Sequence, residues 1–255
     1  MTNQEIIAIA MQQSAADSNC SVDDFQSFEN KVVISKNSDK ARKYLTLPFS
    51  CDLTSYGNNI VASVTEELAE IVKAYINKYP IEHCFETPNL HILIEQLKPY
   101  DLNVCFMAEY FLPDLNFLRP LQCGYEIRVL NPEEFSGYYQ KEWRNALSET
   151  RKQLDRLAVG AFDQGRLVGL AGASADCDTM WQIGIDVLPE YRRQRIASCL
   201  TSRLAQEILD RGIVPFYCCA WSNVKSARTA IKSGFRPSWV QLTVKSSELV
   251  IKMNQ

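Results

Sequence analysis

The sequence contains few of the residues and segments that metal, nucleic-acid and membrane proteins require. It has two histidines, His83 and His91, and no Cys-x-x-Cys pair among its nine cysteines, which argues against a zinc site. A net charge of −3 argues against nucleic acid as the main partner. The apolar run from Ile6 to Met11 is too short for a membrane span and follows no basic segment. We therefore expect a cytoplasmic protein with reduced thiols and without a bound metal.

The most informative stretch is residues 181–208, where a strand pattern changes into a helix pattern. Apolar side chains alternate with other residues at Ile183, Ile185 and Val187, which predicts a half-buried strand. From Ile196 to Ile208 they recur every fourth residue, which predicts the buried stripe of a helix. The stretch is therefore interpreted as a strand, a tight turn and a helix.

The turn between this strand and this helix carries three arginines, Arg192, Arg193 and Arg195. A helix start leaves backbone N–H groups without intrahelical partners. These groups, the positive end of the helix dipole and nearby guanidinium groups together favour an anion such as pyrophosphate. Because the basic patch is local, a small polyanion fits it better than a long one.

The turn resembles the phosphate loop of the GNAT superfamily, which comprises acyl-CoA-dependent N-acyltransferases. In that family a strand ending in Val-x-Pro precedes the motif Arg/Gln-x-x-Gly-x-Gly/Ala. Here Val187-Leu188-Pro189 precedes Arg192-Arg193-Gln194-Arg195-Ile196-Ala197, which matches at the first and last positions. Arg195 replaces the middle glycine, so its side chain either narrows the space for phosphate or adds a guanidinium contact.

A second segment, residues 213–235, is similar to the other GNAT motif. The family has a strand, then Asn-x-x-Ser/Ala, and Gly-Phe about seven residues later. Here a strand is predicted at 213–221, with Asn223 as the cap of a short helix and Gly234 as its stop. The family often has a proton-donating tyrosine seven residues after the asparagine, where this sequence has Ala230.

The order of elements from residue 125 onward also resembles the GNAT order, namely strand, helix, hairpin, strand, loop, helix, strand, helix and terminal strands. We predict an α/β (α+β) protein with a GNAT-type mixed sheet flanked by helices at 125–255. Residues 1–120 are predicted to form a smaller α/β domain on the acceptor side. The strand-helix order at 59–112 repeats that of the GNAT part without its loop. A degenerate GNAT-like half and an unrelated small domain are both left open.

Local patterns predict the individual elements. In the first part they are helices at 3–14, 65–79 and 87–98 and strands at 44–53, 59–64, 82–86 and 103–112. In the second part they are a strand at 125–130, a helix after Asn131 with Phe135, Tyr139, Trp143 and Leu147 on its buried side, and hairpin strands at 156–162 and 166–174.

The resemblance implies acyl transfer from a thioester to an amine. The residues it assigns to CoA binding are Ile185, Val187, Arg192, Arg193, Gln194, Arg195, Ile196, Ala197, Ser198 and Asn223. The implied co-substrate is acetyl-CoA, and the predicted partners are the CoA thioester and an unidentified amine, with a homodimer left open. The alternative is an acyl-CoA-binding sensor or regulatory module without turnover, which Arg195 and Ala230 favour.

The catalytic residues are not identified by the sequence. Ser226, in the first turn of the predicted last helix, is a candidate proton donor, and Asp186 and Glu142 are candidate bases. A helix-stabilising serine and solvated carboxylates are the ordinary alternatives. Glu109 is a candidate ligand for a cationic amine, with an exposed strand face as its alternative. Cys219 as a nucleophile has no adjacent histidine to activate it.

Overall fold

The computed structural model describes all 255 residues, Met1–Gln255, as alternating helices and strands. The strands are β1 (Lys31–Ile34), β2 (Cys51–Ser55), β3 (Val61–Val64), β4 (Leu102–Pro113), β5 (Glu126–Leu130), β6 (Asp155–Asp163), β7 (Arg166–Ser174), β8 (Met180–Val187), β9 (Val214–Ala220) and β10 (Phe235–Ser246). The α-helices are α1 (Asn3–Ser18), α2 (Val22–Gln26), α3 (Ala69–Ile76), α4 (Thr87–Leu97), α5 (Pro132–Phe135), α6 (Ile196–Leu209), α7 (Val224–Lys232) and α8 (Ser247–Met253). None of these helices combines the length and the apolar character needed to cross a membrane.

The chain divides into two compact units that interleave along the sequence. The first unit comprises Met1–Ala10 and Tyr110–Pro237, and the second comprises Met11–Glu109 and Ser238–Gln255. Strands β4 and β10 each contribute residues to both units. The mixed α/β class predicted from the sequence is confirmed. The assignment of separate roles to 1–120 and 125–255 stays a prediction.

The first unit is built on a sheet in the order β9-β8-β7-β6-β5. Neighbouring strands from β5 to β8 are antiparallel, whereas β8 and β9 are parallel. Helix α6 packs against this sheet through Ile196, Leu200, Leu204 and Ile208, each at most 1% exposed. A Cβ atom on Gly169 of β7 would lie 2.6 Å from the Ile196 side chain, so helix and sheet are in close contact. The predicted four-residue stripe is confirmed.

The second unit has a smaller sheet in the order β1-β3-β2-β10. Strands β1 and β3 are parallel, and β2 is antiparallel to both β3 and β10. Side chains from β2, β3, α3 and α4 form one apolar cluster, which includes the fully buried Leu53, Val64, Val72 and Leu93. The helix predicted at 87–98 is confirmed as α4. Its apolar side chains are spaced so that they face the apolar cluster of the unit.

Two strands predicted for the second unit differ from the structure. The strand expected at 44–53 begins only with β2, because Pro48 has no N–H group to contribute to a strand ladder. The strand expected at 82–86 is wrong, since Glu82–Phe85 forms a 3₁₀ turn. There the Cys84 N–H group bonds to the carbonyl groups three and four residues earlier. Local hydrogen bonds thus replace the expected pairing with a strand.

The helix predicted after Asn131 is shorter than expected. It ends at Phe135 after one turn, and Tyr139 has a non-helical backbone with φ −72° and ψ 78°. Trp143 and Leu147 are nevertheless buried in the same apolar cluster as Phe135. The four-residue spacing therefore identified the buried side chains correctly, although an irregular segment with 3₁₀ turns presents them.

The end of the chain also differs from the predicted terminal strands. One long strand, β10, is followed by helix α8. The hydroxyl oxygen of Ser246 caps this helix by accepting a hydrogen bond from the Leu249 N–H group at 3.3 Å. Near the start of the chain, residues Val22–Gln26 and Lys31–Ile34 form the short elements α2 and β1.

Candidate functional site

Strands β8 and β9 pair only over their first residues. The paired residues are Met180 with Val214, Trp181 with Pro215, and Gln182 with Phe216. Beyond Gln182, β8 continues to Val187 and pairs with β7 on its other side only. Apart from the Val187 carbonyl, which accepts a hydrogen bond from Arg192 Nε, the backbone groups of residues 183–187 that point away from β7 are therefore open, as at a free sheet edge. Such an edge can bind an extended ligand through backbone hydrogen bonds.

The side chains of β8 alternate between two faces of the sheet. Ile185 and Val187 are half-buried and pack against the apolar cluster that contains α6. Gly184 and Asp186 belong to the opposite face, where they lie next to Asn145. The backbone of Ile185 and Val187, assigned to CoA binding by the sequence, thus lies on the open edge while their side chains anchor the strand.

The loop between β8 and α6 contains two residues with a left-handed backbone conformation. Arg193 has φ 64°, and Arg195 has φ 65° and ψ 4°. Glycine takes this conformation without strain, whereas another residue loses about 1 kcal/mol or more. Arg195 stands where the family motif has glycine, and its backbone takes a conformation that glycine favours. The substitution therefore leaves the turn in a glycine-like conformation.

Six consecutive backbone N–H groups of this loop and helix start, from Arg193 to Ser198, donate to no acceptor within the protein. Helix α6 begins at Ile196, and the first N–H group to find a helical partner is that of Cys199, which bonds to the Arg195 carbonyl at 3.0 Å. The open groups lie at the positive end of the α6 dipole. This arrangement suits a phosphate or pyrophosphate group.

The side chains of the loop divide into those that fix it and those that remain free. The Arg192 Nε atom donates to the Val187 carbonyl at 3.1 Å, and the Gln194 carboxamide oxygen accepts a hydrogen bond from the Tyr125 hydroxyl. In contrast, Arg193 and Arg195 are exposed and their guanidinium groups pair with no protein acceptor. Two cations are thus available beside the open N–H groups. Of the remaining predicted loop residues, Ile196 is buried, Ala197 is half-buried, and the Ser198 hydroxyl donates to the Arg195 carbonyl at 3.0 Å.

Asn223 and Ser226 lie together at the start of α7. The Asn223 side-chain oxygen accepts a hydrogen bond from the Ser226 N–H group at 3.2 Å, so it caps the helix. The Ser226 hydroxyl lies 2.7 Å from the hydroxyl of Tyr217, which follows the last residue of β9 that pairs with β8. Burial of the phenol raises the pKa of Tyr217 to about 12. Ala230 is fully buried.

Sequence reasoning missed Tyr217 because it looked for a phenol at position 230, on the helix that is α7 in the structure. The usable signal was the alternation along β9, where Tyr217 and Cys219 share one face. Both pack in the cluster that also contains Ala230. A strand phenol therefore lies one hydrogen bond from Ser226, the serine that the sequence selected.

The predicted carboxylates lie in different surroundings. Asp186 accepts hydrogen bonds from the Asn145 and Ala146 backbone N–H groups and from the Asn145 side chain. Glu142 is exposed, and it lies in the 3₁₀ turn Lys141–Trp143 rather than on the predicted helix. The structure therefore brings Asp186, but not Glu142, into hydrogen bonds at the open part of β8.

Glu109 and Cys219 lie outside the β8–α6 loop. Glu109 belongs to β4 in the second unit, and burial raises the pKa of its carboxyl group. Cys219 is 9% exposed and is part of the apolar cluster of the first unit. The proposed contact of Glu109 with an amine stays a prediction.

Comparison with solved structures gives distant matches. A GCN5-related N-acetyltransferase-like protein from Streptococcus suis is 18% identical, with a TM-score of 0.46 over 62% of this chain and 68% of that chain. An acetyltransferase of the GNAT family from Colwellia psychrerythraea is 16% identical, with a TM-score of 0.42 over 56% of this chain and 57% of that chain. Aminoglycoside N-acetyltransferase AAC(6')-Iy in complex with CoA is 20% identical, with a TM-score of 0.36 over 48% of this chain and 93% of that chain. The chain thus spans 68% of the length of the first and 57% of the length of the second.

Comparison at the level of sequence is more decisive. No curated protein matches the chain. A family model described as GNAT acetyltransferase matches residues 54–239, which is more than half of the chain. The match includes both predicted motifs and begins well before residue 125, where the sequence reasoning placed the start of the resemblance. The chain belongs to the GNAT acetyltransferase family.

Proposed function

We propose that this protein transfers the acetyl group of acetyl-CoA to an amine of a small molecule or protein by direct attack of the amine on the thioester. The observation that carries the proposal is that the open edge of β8, residues 183–187, leads into a loop with six unpaired N–H groups. The strand edge would bind the amides of the pantetheine arm, and the loop would bind the pyrophosphate. Acetyl-CoA supplies the activated acyl group.

The residues of the loop are suited to a polyanion by charge as well as by geometry. The open N–H groups of residues 193–198 would each donate to a phosphate oxygen, and Arg193 and Arg195 would add charge-assisted contacts. An N–H group on the open edge of β8 would also stabilise the negative charge that develops on the thioester oxygen. Such a donor commonly contributes about 3 kcal/mol.

The hydroxyl pair Ser226 and Tyr217 is the proposed proton source. When the amine nitrogen bonds to the acyl carbon, the carbon–sulfur bond breaks and the sulfur takes up a proton. With a pKa of about 12, Tyr217 remains protonated at neutral pH. It can therefore orient the Ser226 hydroxyl at 2.7 Å so that the serine gives its proton to the sulfur and takes one back from solvent. The amine loses its own proton to solvent or to a base.

The experiment that tests the proposal measures two quantities on the full chain. Calorimetric titration with CoA tests the donor site, and release of free thiol from acetyl-CoA is followed with spermidine, kanamycin, tryptamine and glycinamide as probe amines. Binding of CoA together with amine-dependent thiol release supports the transferase. Binding without release with any probe supports the binding module, which Ala230 favours because it leaves the helix without a phenol. Absence of CoA binding overturns both functions.

A further inference from the structure

A short segment of the first unit, residues 143–147, lies directly on the open part of β8. Gly172 of β7 and Gly184 of β8 are opposite each other in the sheet. A Cβ atom on Gly184 would lie 1.8 Å from the carbonyl oxygen of Asn145, and one on Gly172 would lie 2.0 Å from that of Ala146. Only glycine allows the backbone of the segment to approach the strands this closely. The two glycines therefore let the segment pack directly against the sheet.

The carboxylate of Asp186 holds the segment against the sheet. Its Oδ2 atom accepts hydrogen bonds from the backbone N–H groups of Asn145 at 2.8 Å and Ala146 at 3.0 Å, and its Oδ1 atom accepts from Asn145 Nδ2 at 2.6 Å. Bonds to an ionised acceptor are shorter and stronger than neutral ones. Because both carboxylate oxygens are engaged by the protein, Asp186 is better placed to position the segment than to take a proton from a substrate.

The same bonds determine the orientation of the Asn145 carboxamide. An ionised carboxylate only accepts hydrogen bonds, so the Nδ2 atom of Asn145, and not its Oδ1 atom, must face Asp186. The Oδ1 atom is left as a fixed acceptor on an exposed residue. The backbone carbonyl of Asn145 lies against Gly184 of β8, on the sheet face opposite α6.

We propose that Asn145 Oδ1 accepts a hydrogen bond from the amine substrate, and that Asp186 is the positioning residue that orients it. The inference rests on the proposed function, since the amine must approach a thioester that lies along the open edge of β8. A neutral primary amine can donate one N–H group to Asn145 and keep its lone pair for attack on the acyl carbon.

The test compares Asn145→Ala and Asp186→Asn with the wild type. Asn116→Ala and Asp210→Asn are matched controls, because both residues are exposed in the first unit and their side chains form no hydrogen bond with the protein. Thiol release is measured against the concentration of the probe amine that the wild type turns over fastest, at several pH values. CoA affinity and thermal unfolding are measured on the same samples.

We expect Asn145→Ala to raise KM for the amine by about tenfold or more, with kcat lowered by less than about threefold. The Kd for CoA should stay within about twofold, because the donor site is not altered. Asp186→Asn should act in the same direction, since an amide cannot accept all three hydrogen bonds. Its pH profile should keep the acidic midpoint of the wild type, and both controls should behave as the wild type.

Three results would overturn the inference. The first is an amine KM in Asn145→Ala that stays within about twofold of the wild type. If Asp186→Asn does not fold, the KM of Asn145→Ala is the result that tests the inference. The second is a loss of kcat in Asp186→Asn with unchanged KM and without the acidic limb of the pH profile, which would make Asp186 the base. The third is a wild type that binds no CoA or turns over no probe amine. In that case the proposed function itself fails, and the inference fails with it.

Discussion

Each unit has an aspartate on a strand that accepts several hydrogen bonds, but the two residues lie in opposite settings. Asp186 of β8 is partly exposed and accepts mainly from backbone N–H groups of a neighbouring segment. Asp52 of β2 is 1% exposed and accepts from side chains. Its donors are Gln241 Nε2 at 2.9 and 3.0 Å, the Thr243 hydroxyl at 2.6 Å and the Thr54 hydroxyl at 3.3 Å.

The surroundings of Asp52 leave its charge only partly compensated. It forms no ion pair, whereas the buried Asp17 of the same unit pairs with Arg42 at 2.7 Å. Burial raises the pKa of Asp52 to about 6, although the hydrogen bonds from Thr243, Gln241 and Thr54 oppose this increase. A strand carboxylate in a closed interior therefore changes the stability of the fold, while one at an open edge is available to organise a site.

The largest expected effect comes from breaking the contact on the open side. Gly184→Ala places a Cβ atom 1.8 Å from the Asn145 carbonyl oxygen, so either the segment moves or the strand does. We expect the free energy of unfolding to fall by about 3 kcal/mol, as for a severe overpacking substitution. Urea denaturation measures the loss. Gly137→Ala is the matched control because no atom lies within 4 Å of its added Cβ. Equal stability of the two variants would contradict the close packing of the segment on Gly184.

The next effect concerns the closed side and depends on pH. Because the pKa of Asp52 rises on folding from 3.8 to about 6, the folded state binds the proton more tightly, and its stability falls as pH rises through this window. Asp52→Asn removes the titration. At about 1.4 kcal/mol per unit of pKa, the stability of the wild type relative to this variant should fall by about 2 to 3 kcal/mol between pH 4 and pH 7.5.

Urea denaturation of both proteins at the two pH values measures this difference. Asp210→Asn, at an exposed carboxylate, serves as the control and should show no such change relative to the wild type. A constant difference in stability between the wild type and Asp52→Asn over the pH range would mean that Asp52 does not titrate on its own in the folded protein.

A substitution on the open side should alter CoA binding and leave the stability of the fold unaffected. Arg193→Glu puts a negative charge beside the open N–H groups and should weaken CoA binding by about tenfold or more. The free energy of unfolding should change by less than about 0.5 kcal/mol, since Arg193 is exposed. Calorimetry and thermal unfolding check the two parts. Arg156→Glu, also exposed in the first unit, controls for net charge, and an unchanged CoA affinity in Arg193→Glu would remove the loop from the site.

The smallest effect is expected at Arg195. Arg195→Gly relieves a left-handed backbone conformation and removes one free guanidinium group. These changes oppose each other in binding, so the CoA affinity should stay within about threefold of the wild type. Tighter binding would show that the side chain obstructs phosphate. A large loss of affinity would show that its charge is required.

The elements around the phosphate loop could be predicted because their information is local. The alternation in β8, the four-residue stripe of α6 and the cap at Asn223 each depend on residues a few positions apart. The segment after Asn131 could not be predicted as well. Its buried side chains have helical spacing, but the sheet accepts an irregular backbone there because Gly172 and Gly184 leave room for it.

By itself, the sequence determined the class of the fold and the position of the strand-loop-helix unit, because apolar periodicity and short motifs depend only on neighbouring residues. Only the tertiary structure decided that Asp186 bonds to Asn145, 41 residues earlier, and that the Ser226 hydroxyl meets Tyr217 of β9. It also decided that Asp52 would be closed off among side chains from β2 and β10. The physical reason is that a polar side chain acquires its role from burial and from the donors that folding brings to it.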